Sequence, residues 1–441
     1  MKETVLQFGT GNFLRGFADS FVDSLNKQGL YDGKIVIVSP TDSETVEKIN
    51  AQNGKYHLIL RGIDNGKEVC ERTHINAVSR ALNPYRDFAS FLSLAENPDL
   101  RFIISNTTEA GIFFDETCQV TDKPAASFPG KLTQFLYQRY QTGLPGFVIF
   151  ACELIDNNGK ELQNCVLRYA EKWGLETDFI RWIDSENRFC NTLVDRIVTG
   201  FPKDEAEQIF ADIGCRDELL DTAEPYHLWV IGGDFEKELP LKAAGFNVVW
   251  TDDVSPYKKM KVCILNGSHT SLVFPSLLCG VESVGESLKD SLLNDYLHTC
   301  LFGYILPTLG EMAENKRFAL AVLERFANPY IRHLWKSISL NSVSKFTARV
   351  LPTIADYREK NHAFPKPLVF SLACLIKYYK ENEPSDSKAA VDYIKTHDIG
   401  EILSNADLWG ADLSDMTDLI GESLAQIENN GIREAIRWSM L

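Results

Sequence analysis

Lys261, Asn266 and His269 are residue types that together can manage the oxygen of a carbonyl, and they lie close in the chain. A lysine held away from water has its charged form destabilised, so its pKa falls toward the range useful for proton transfer. A carboxamide NH2 can donate to an oxygen that gains negative charge, and an imidazole one turn further on can orient that same oxygen. Base, oxyanion donor and orienting imidazole are what interconversion of a secondary alcohol and a ketone requires. The segment reads as a helix, with Ser255 as N-cap, Pro256 as first helical residue and Pro275 bending or ending it after about Val273. At about 100° per residue, Lys261 stands at 0°, His269 at about 80° and Asn266 at about 140°, an arc shared with Val262, Leu265, Leu272 and Val273. The opposite side holds Cys263, Ile264, Gly267 and Ser271 without a charge, and a helix apolar all round is buried. Gly267 weakens the helix by ~1 kcal/mol relative to Ala, and its missing side chain would admit a cofactor or another backbone. Singly, each residue has a plainer role: a Lys near a helix start snorkels to water, as expected of Lys258 and Lys259, and a lone Asn or His is a satisfied core residue.

A second chemical signal opens the chain. The β-rich run of residues 4–8 stops at Gly9-Thr10-Gly11, and a helical pattern follows with Phe13, Phe17, Phe21 and Leu25 on one face and Gly29 as C-cap. Glycines in a strand–turn–helix let backbone approach a pyrophosphate at the positive end of a helix dipole. The third glycine of the usual G-x-G-x-x-G is absent, because position 14 is Leu14 and the next glycine is Gly16. A tight turn without a ligand is the alternative. Arg15 adds a cation that would face either a diphosphate or solvent. The next strand, residues 34–38, is followed by Asp42, the nearest acid able to hold ribose hydroxyls, with no Arg nearby in sequence for a 2′-phosphate. That favours NAD over NADP.

These residues need elements to position them. Short apolar runs at residues 101–106, 147–151, 227–231 and 248–251 alternate with helical stretches, and residues 56–61 pair with a partner near Glu68 around Asp64-Asn65-Gly66. Strands separated by helices indicate a parallel sheet covered on both faces. After about residue 253 the strand pattern nearly vanishes. The expected organisation is a sheet-based unit over residues 1–248 and a mainly helical one over 249–441.

The 441 residues carry 45 Lys plus Arg against 61 Asp plus Glu, a net charge of −16. Such a surface repels nucleic acid and anionic lipid, and a small anionic ligand would need a local cation cluster. No secretory signal and no run of ~18 apolar residues is present, so no membrane segment is expected. Ten cysteines stand singly without metal-ligand spacing, which suggests reduced thiols in a cytoplasmic protein with no metal.

At these residues the chain resembles the mannitol dehydrogenase family of polyol-specific long-chain dehydrogenases. Its strongest piece is Lys261, Asn266 and His269 in the family's K-x4-N-x2-H. Further pieces are residues 9–16 (GTGNFLRG), Thr108-Glu109-Ala110-Gly111, residues 191–197 (NTLVDRI), Glu224-Pro225 and Asn328-Pro329. The family's own turn has the wider glycine spacing that Leu14 imposes here. The resemblance implies an N-terminal Rossmann-type doubly wound parallel sheet, a helical C-terminal domain and no metal. Lys261 would be the general acid/base, Asn266 the oxyanion donor and His269 a substrate ligand. Gly9, Gly11, Asn12, Phe13, Arg15, Asp42, Thr108 and Glu109 would meet NAD, and Asp195 either contacts substrate hydroxyls or pairs with Arg196 or Arg349.

Within the family, residues 152–155 (CELI) and 340–352 (LNSVSKFTARVLP) resemble the group that interconverts D-tagaturonate and D-altronate. The polyol enzymes' second oxyanion Asn is Leu154 here, and an Arg they carry is Ser337. Lys345 and Arg349, four apart on one helix face, could both reach a substrate carboxylate. The expectation is a metal-independent NAD(H)-dependent reductase of a keto-hexuronate, working as a monomer or homodimer. The alternatives are a fructuronate, mannitol or hexitol phosphate enzyme of the same family, or a non-catalytic nucleotide-sensing module.

Overall fold

Short apolar runs of the first half assemble into a sheet of six strands: β1 (Lys2–Phe8), β2 (Gly33–Val38), β3 (Val78–Leu82), β4 (Phe102–Ser105), β5 (Val148–Ala151) and β6 (Arg188–Cys190). Their order is β3-β2-β1-β4-β5-β6, and every neighbouring pair is parallel. The computed structural model describes residues 1–310 and 313–441, which form two compact units, Met1–Val254 and Ser255–Leu441.

Alternate residues of β1 go to opposite cores. Val5 joins Phe17, Phe21 and Trp229 on one face, while Leu6 and Phe8 join Phe91, Leu132 and Phe135 on the other. Burial of both faces is why the central strands read as continuous apolar runs rather than alternating ones. The strand order reverses at β1, so the loops after β1 and β4 diverge and leave a crevice at their carboxyl ends.

Two smaller sheets complete the unit. Tyr56–Asp64 pairs antiparallel with Lys67–Ile75 through a turn with Asn65 at φ 50° and Gly66 at φ 75°, as the Asp-Asn-Gly signal predicts. Asp221–Ala223 lies parallel to the first of these strands. Leu228–Gly232 pairs with Thr192–Asp195 and with Val248–Thr251, so the last strand belongs with the sheets rather than with the helices.

The expected continuous helix after the glycine turn is instead two, Asn12–Arg15 and Ala18–Lys27. Side chains capture the carbonyls that would continue it: Tyr56 Oη donates to Arg15 O at 2.8 Å and Arg196 Nη1 donates to Gly16 O at 2.8 Å. An ideal Cβ at Gly16 would also stand 3.0 Å from the Val198 side chain.

The second unit is built of helices, and among its described residues the β pairing is confined to a bridge between Ser283 and Leu334. The segment that carries Lys261 is an α-helix over Ser255–Lys261, a π-helical turn over Val262–Asn266 and an α-helix over Gly267–Leu278. Pro275 lies inside this last helix and does not end it. An internal proline costs about 3 kcal/mol, and full burial of Leu272, Val273 and Phe274 recovers about 1.5–3 kcal/mol for each side chain. No helix among the described residues is long and apolar enough to cross a membrane.

Gly9 and Gly11 should respond in opposite ways to alanine. Gly9 has φ 136°, and an ideal Cβ there would stand 2.8 Å from Asn106 O, whereas Gly11 has nothing within 4 Å. Urea denaturation is expected to show Gly9→Ala destabilised by at least about 2 kcal/mol and Gly11→Ala close to the parent; equal losses would contradict this account of the turn.

Candidate active site

In the second unit the π turn changes which side chains align. A π turn winds through fewer degrees per residue than an α-helix, so Lys261 and Asn266, which an α-helical wheel separates by about 140°, come closer to one face. His269 follows one turn later. Around them Cys263, Ile264, Leu265, Gly267, Ser268 and Thr270 are buried, while Lys261, Asn266 and His269 keep partial exposure. An all-round apolar helix predicts complete burial, and the structure differs there: Lys261, Val262, Asn266 and His269 keep partial exposure among buried neighbours.

Aromatic rings hold the imidazole of His269. It stacks on Phe326 at 4.1 Å between centroids and meets Trp335 edge-on at 6.2 Å. Trp335 is itself fixed by its indole N–H, which donates to Ser287 Oγ at 2.9 Å. His269 Nε2 is buried and has no hydrogen-bond partner among the described residues. Burial holds the imidazole pKa well below its ordinary value, and the charges of His333, Arg325, Arg349 and Lys345 push it further down. The ring is therefore neutral at physiological pH, with one nitrogen uncommitted.

Three side-chain cations thus act on one imidazole in an acidic chain. Lys345 and Arg349 sit on the helix Ser342–Arg349, and burial followed by the nearby Arg349 charge lowers the Lys345 ammonium, with Asp386 opposing. Lys345 Nζ donates to Ile338 O at 2.9 Å. The helix lies close because position 267 is glycine: an ideal Cβ there would stand 3.2 Å from Arg349 O. Of the two occupants the sequence allows for that space, it is the backbone of the neighbouring helix that fills it. Arg325, 5% exposed, and His333, whose ring lies 6.1 Å from His269, escaped the sequence reading. No local spacing ties them to His269, and Asn328-Pro329 was the only motif near them.

In the first unit, Gly9 is wedged between neighbouring strands. Its N–H donates to Val38 O at 3.2 Å, and Asn106 O blocks any side chain. Gly11 and Asn12 are exposed above it at the start of the short helix. Phe13 is half-buried and stacks on Phe17 at 5.1 Å, so it anchors the turn to the core. Arg15 is turned inward: Nη1 donates to Thr10 O at 2.7 Å and Nη2 to Asn12 Oδ1 at 2.6 Å. Neither orientation expected from sequence, toward a diphosphate or toward solvent, is the one adopted. The Asn12 side chain fills the space that a Cβ on Gly200 would take.

Across the crevice, the loop after β4 carries exposed Thr108 and Glu109. Thr108 has φ 86°, a strained conformation for a β-branched residue. Buried Glu153 braces it from below: its carboxylate accepts from Ser105 Oγ, Thr107 N and Thr107 Oγ1, each at 3.0 Å. Leu154, the neighbouring residue, is 54% exposed. Asp195 is buried at the end of its strand, opposite Leu228, and the Arg196 guanidinium is occupied by the carbonyls of Gly16, Glu224, Pro225 and Tyr226.

Asp42 has company that sequence proximity did not reveal. Its Oδ1 accepts from Asn83 Nδ2 at 2.7 Å and from Arg86 Nε at 3.2 Å, and Arg86 also pairs with Glu47. An Arg does stand beside the end of β2, contrary to the sequence expectation. With Asp42 and Glu47 set against it, however, the locality stays acidic, and a 2′-phosphate is disfavoured as before.

Comparison with known proteins agrees with this architecture. Residues 3–243 match the mannitol dehydrogenase Rossmann domain and residues 253–429 the mannitol dehydrogenase C-terminal domain. An altronate oxidoreductase of Bacillus subtilis is 42% identical, covering 98% of this chain and 94% of the relative. One of Bacteroides thetaiotaomicron is 40% identical over 99% and 96%. Among solved structures, a substrate-free D-sorbitol dehydrogenase shares the fold with a TM-score of 0.88 at 24% identity, covering 99% of this chain and 95% of that one. A Pseudomonas fluorescens mannitol 2-dehydrogenase, solved with NAD and D-mannitol, does so at 0.74 and 20% identity over 99% and 94%. The chain belongs to the mannitol dehydrogenase family.

Proposed function

We propose that this protein is an NAD(H)-dependent oxidoreductase that reduces the keto group of a hexuronate, D-tagaturonate to D-altronate. The observation that carries it is the convergence of Lys345, Arg349 and Arg325 on the neutral imidazole of His269 in a chain of net charge −16. A cation cluster in an acidic protein suits a small anionic substrate, and guanidinium is well matched to carboxylate. The full-length likeness to altronate oxidoreductases supports the same substrate. Singly placed cysteines, most of them buried, support a cytoplasmic setting.

The glycine turn fits a dinucleotide. Gly9 lets the turn sit close under the strand ends, Gly11 leaves open space where a diphosphate would lie, and Asp42 would take the ribose hydroxyls. Thr108 and Glu109 would line the nicotinamide end. Bound NADH supplies the hydride that reduces the ketone. Lys261, at the end of its helix, would give the new hydroxyl its proton and take it back in the reverse direction. Asn266 would donate to the same oxygen. His269 cannot act as the acid, because burial and neighbouring cations keep it unprotonated, so Nε2 is left to orient the oxygen by a neutral hydrogen bond. The cations would hold the distal carboxylate and thereby fix which carbon faces the hydride.

Two measurements test this. NADH oxidation with a panel of keto-uronates and neutral ketoses should give a kcat/KM for D-tagaturonate at least about 10²-fold above any neutral ketose, and Lys345→Met should narrow that gap by raising KM. Equal use of a neutral ketose would remove the carboxylate subsite. Separately, Lys261→Ala should lower kcat by roughly 10²–10⁴-fold with NADH affinity near the parent value; a variant retaining most of its activity would take the acid/base role from Lys261.

A further inference from the structure

Beneath the glycine turn of the first unit lies a set of ionisable groups that the proposed reaction leaves unused. Arg15, Asp19, Tyr56, Arg196, Asp221 and Glu224 are all buried, none more than 7% exposed. They come from different elements: the two short helices after β1, the strands that begin at Tyr56 and Asp221, and the segments after residues 195 and 223. Arg15 is the link to the turn, since it donates to Thr10 O and Asn12 Oδ1. Gln7 Nε2 adds a bond to Gly9 O at 3.1 Å. Tyr56 Oη reaches Asp19 Oδ2 at 3.2 Å, Thr222 N donates to Asp221 Oδ1 at 2.9 Å, and Ile197 N donates to Glu224 Oε1 at 2.6 Å. Four polar atoms of the cluster, Gln7 Oε1, Arg15 Nε, Asp19 Oδ1 and Asp221 Oδ2, are buried without a hydrogen-bond partner among the described residues.

We propose that the Asp19–Asp221 pair retains one proton under the turn and that a dinucleotide binding above it strengthens that retention, so the pair makes cofactor affinity depend on pH. This rests on the dinucleotide reading of the turn. Charge balance supports it: Arg15 and Arg196 bring two positive charges and Asp19, Asp221 and Glu224 three negative ones, so the set is neutral when one proton is held and carries −1 when none is. Burial pushes Asp19 up to about 7, and Asp221 likewise to about 7, with the Arg15 charge opposing in both cases. Tyr56 is pushed well above its ordinary value by burial and by Asp19, so it stays a donor. Burial lowers Arg196 to about 10, which leaves it charged at neutral pH.

The sign follows. As pH rises through the pair's range the proton leaves and the cluster becomes net negative below a turn that must accept a diphosphate, so affinity falls. By reciprocity, a bound diphosphate makes the proton harder to lose, and binding near neutral pH draws in a fraction of one. Arg15 is a positioning residue here, since it transmits the charge state of the pair to the backbone of the turn.

Calorimetric titration of the full chain with NADH, near pH 7.5 in two buffers of different ionisation enthalpy, reads the proton count directly. The expected result is uptake of roughly a third of a proton, with Kd rising roughly fivefold from about pH 6.5 to about pH 8.5. Asp19→Asn should bind NADH without uptake and with a flat pH dependence; if it fails to fold, Asp221→Asn reads the same quantity. Wild-type binding without proton exchange would overturn the inference, as would uptake that survives in both variants. Failure to bind NADH at any pH would overturn the cofactor reading itself, and this inference with it.

Discussion

Two backbones meet at Gly267. An ideal Cβ there would stand 3.2 Å from the carbonyl oxygen of Arg349 and 3.5 Å from that of Val262, so a side chain would push the helix Ser342–Arg349 away. That helix carries Lys345 and Arg349, two of the three cations that act on His269. The close approach and the π turn beside it divide the work. The π turn brings Lys261 and Asn266 closer to one face, and the glycine contact brings the helix of Lys345 and Arg349 close to the segment that carries His269. A neutral, aromatic-clamped His269 follows, and in the proposed reaction the roles of orienting group and proton donor fall to different side chains.

The first unit uses a comparable constraint at Gly9, where the backbone of β4's loop leaves no room for a side chain. The consequence is a turn pressed onto the strand ends and braced from within by Arg15, while Gly11 faces open space. On the neighbouring loop, Glu153 holds Thr107 and so steadies the strained Thr108. Both loops at the sheet's reversal point are thus fixed by buried polar groups rather than by whatever binds above them, as a preorganised site requires.

Much of this was legible in the chain. Apolar runs of fixed length between helical stretches specify a parallel sheet, and the Lys261–Asn266–His269 spacing marks one helix whatever its fine geometry. What sequence could not carry is interaction between distant residues. The break at Gly16 exists because Tyr56 and Arg196 take carbonyls from the helix, and neither is near it in sequence. The π turn changes no composition, so a wheel drawn at an α-helical angle misplaces Asn266. Arg86 reaches Asp42 from beyond β3, and Arg325 and His333 reach His269 from another helix and a loop. Arg15 was legible as a cation at the turn, but its direction depended on the buried acids behind it.

The central claim is that burial, aided by the cations around it, keeps His269 neutral, so that in the proposed reaction Nε2 orients the substrate oxygen. Carbon-13 NMR of labelled histidine, with the His269 signal assigned by its loss in His269→Gln, tests this most directly when followed from about pH 5 to about pH 8 with and without D-altronate. The account requires a signal that does not titrate in that window and that moves when altronate is added. An inflection at the ordinary histidine value near about 6.5, or no response to altronate, would contradict it.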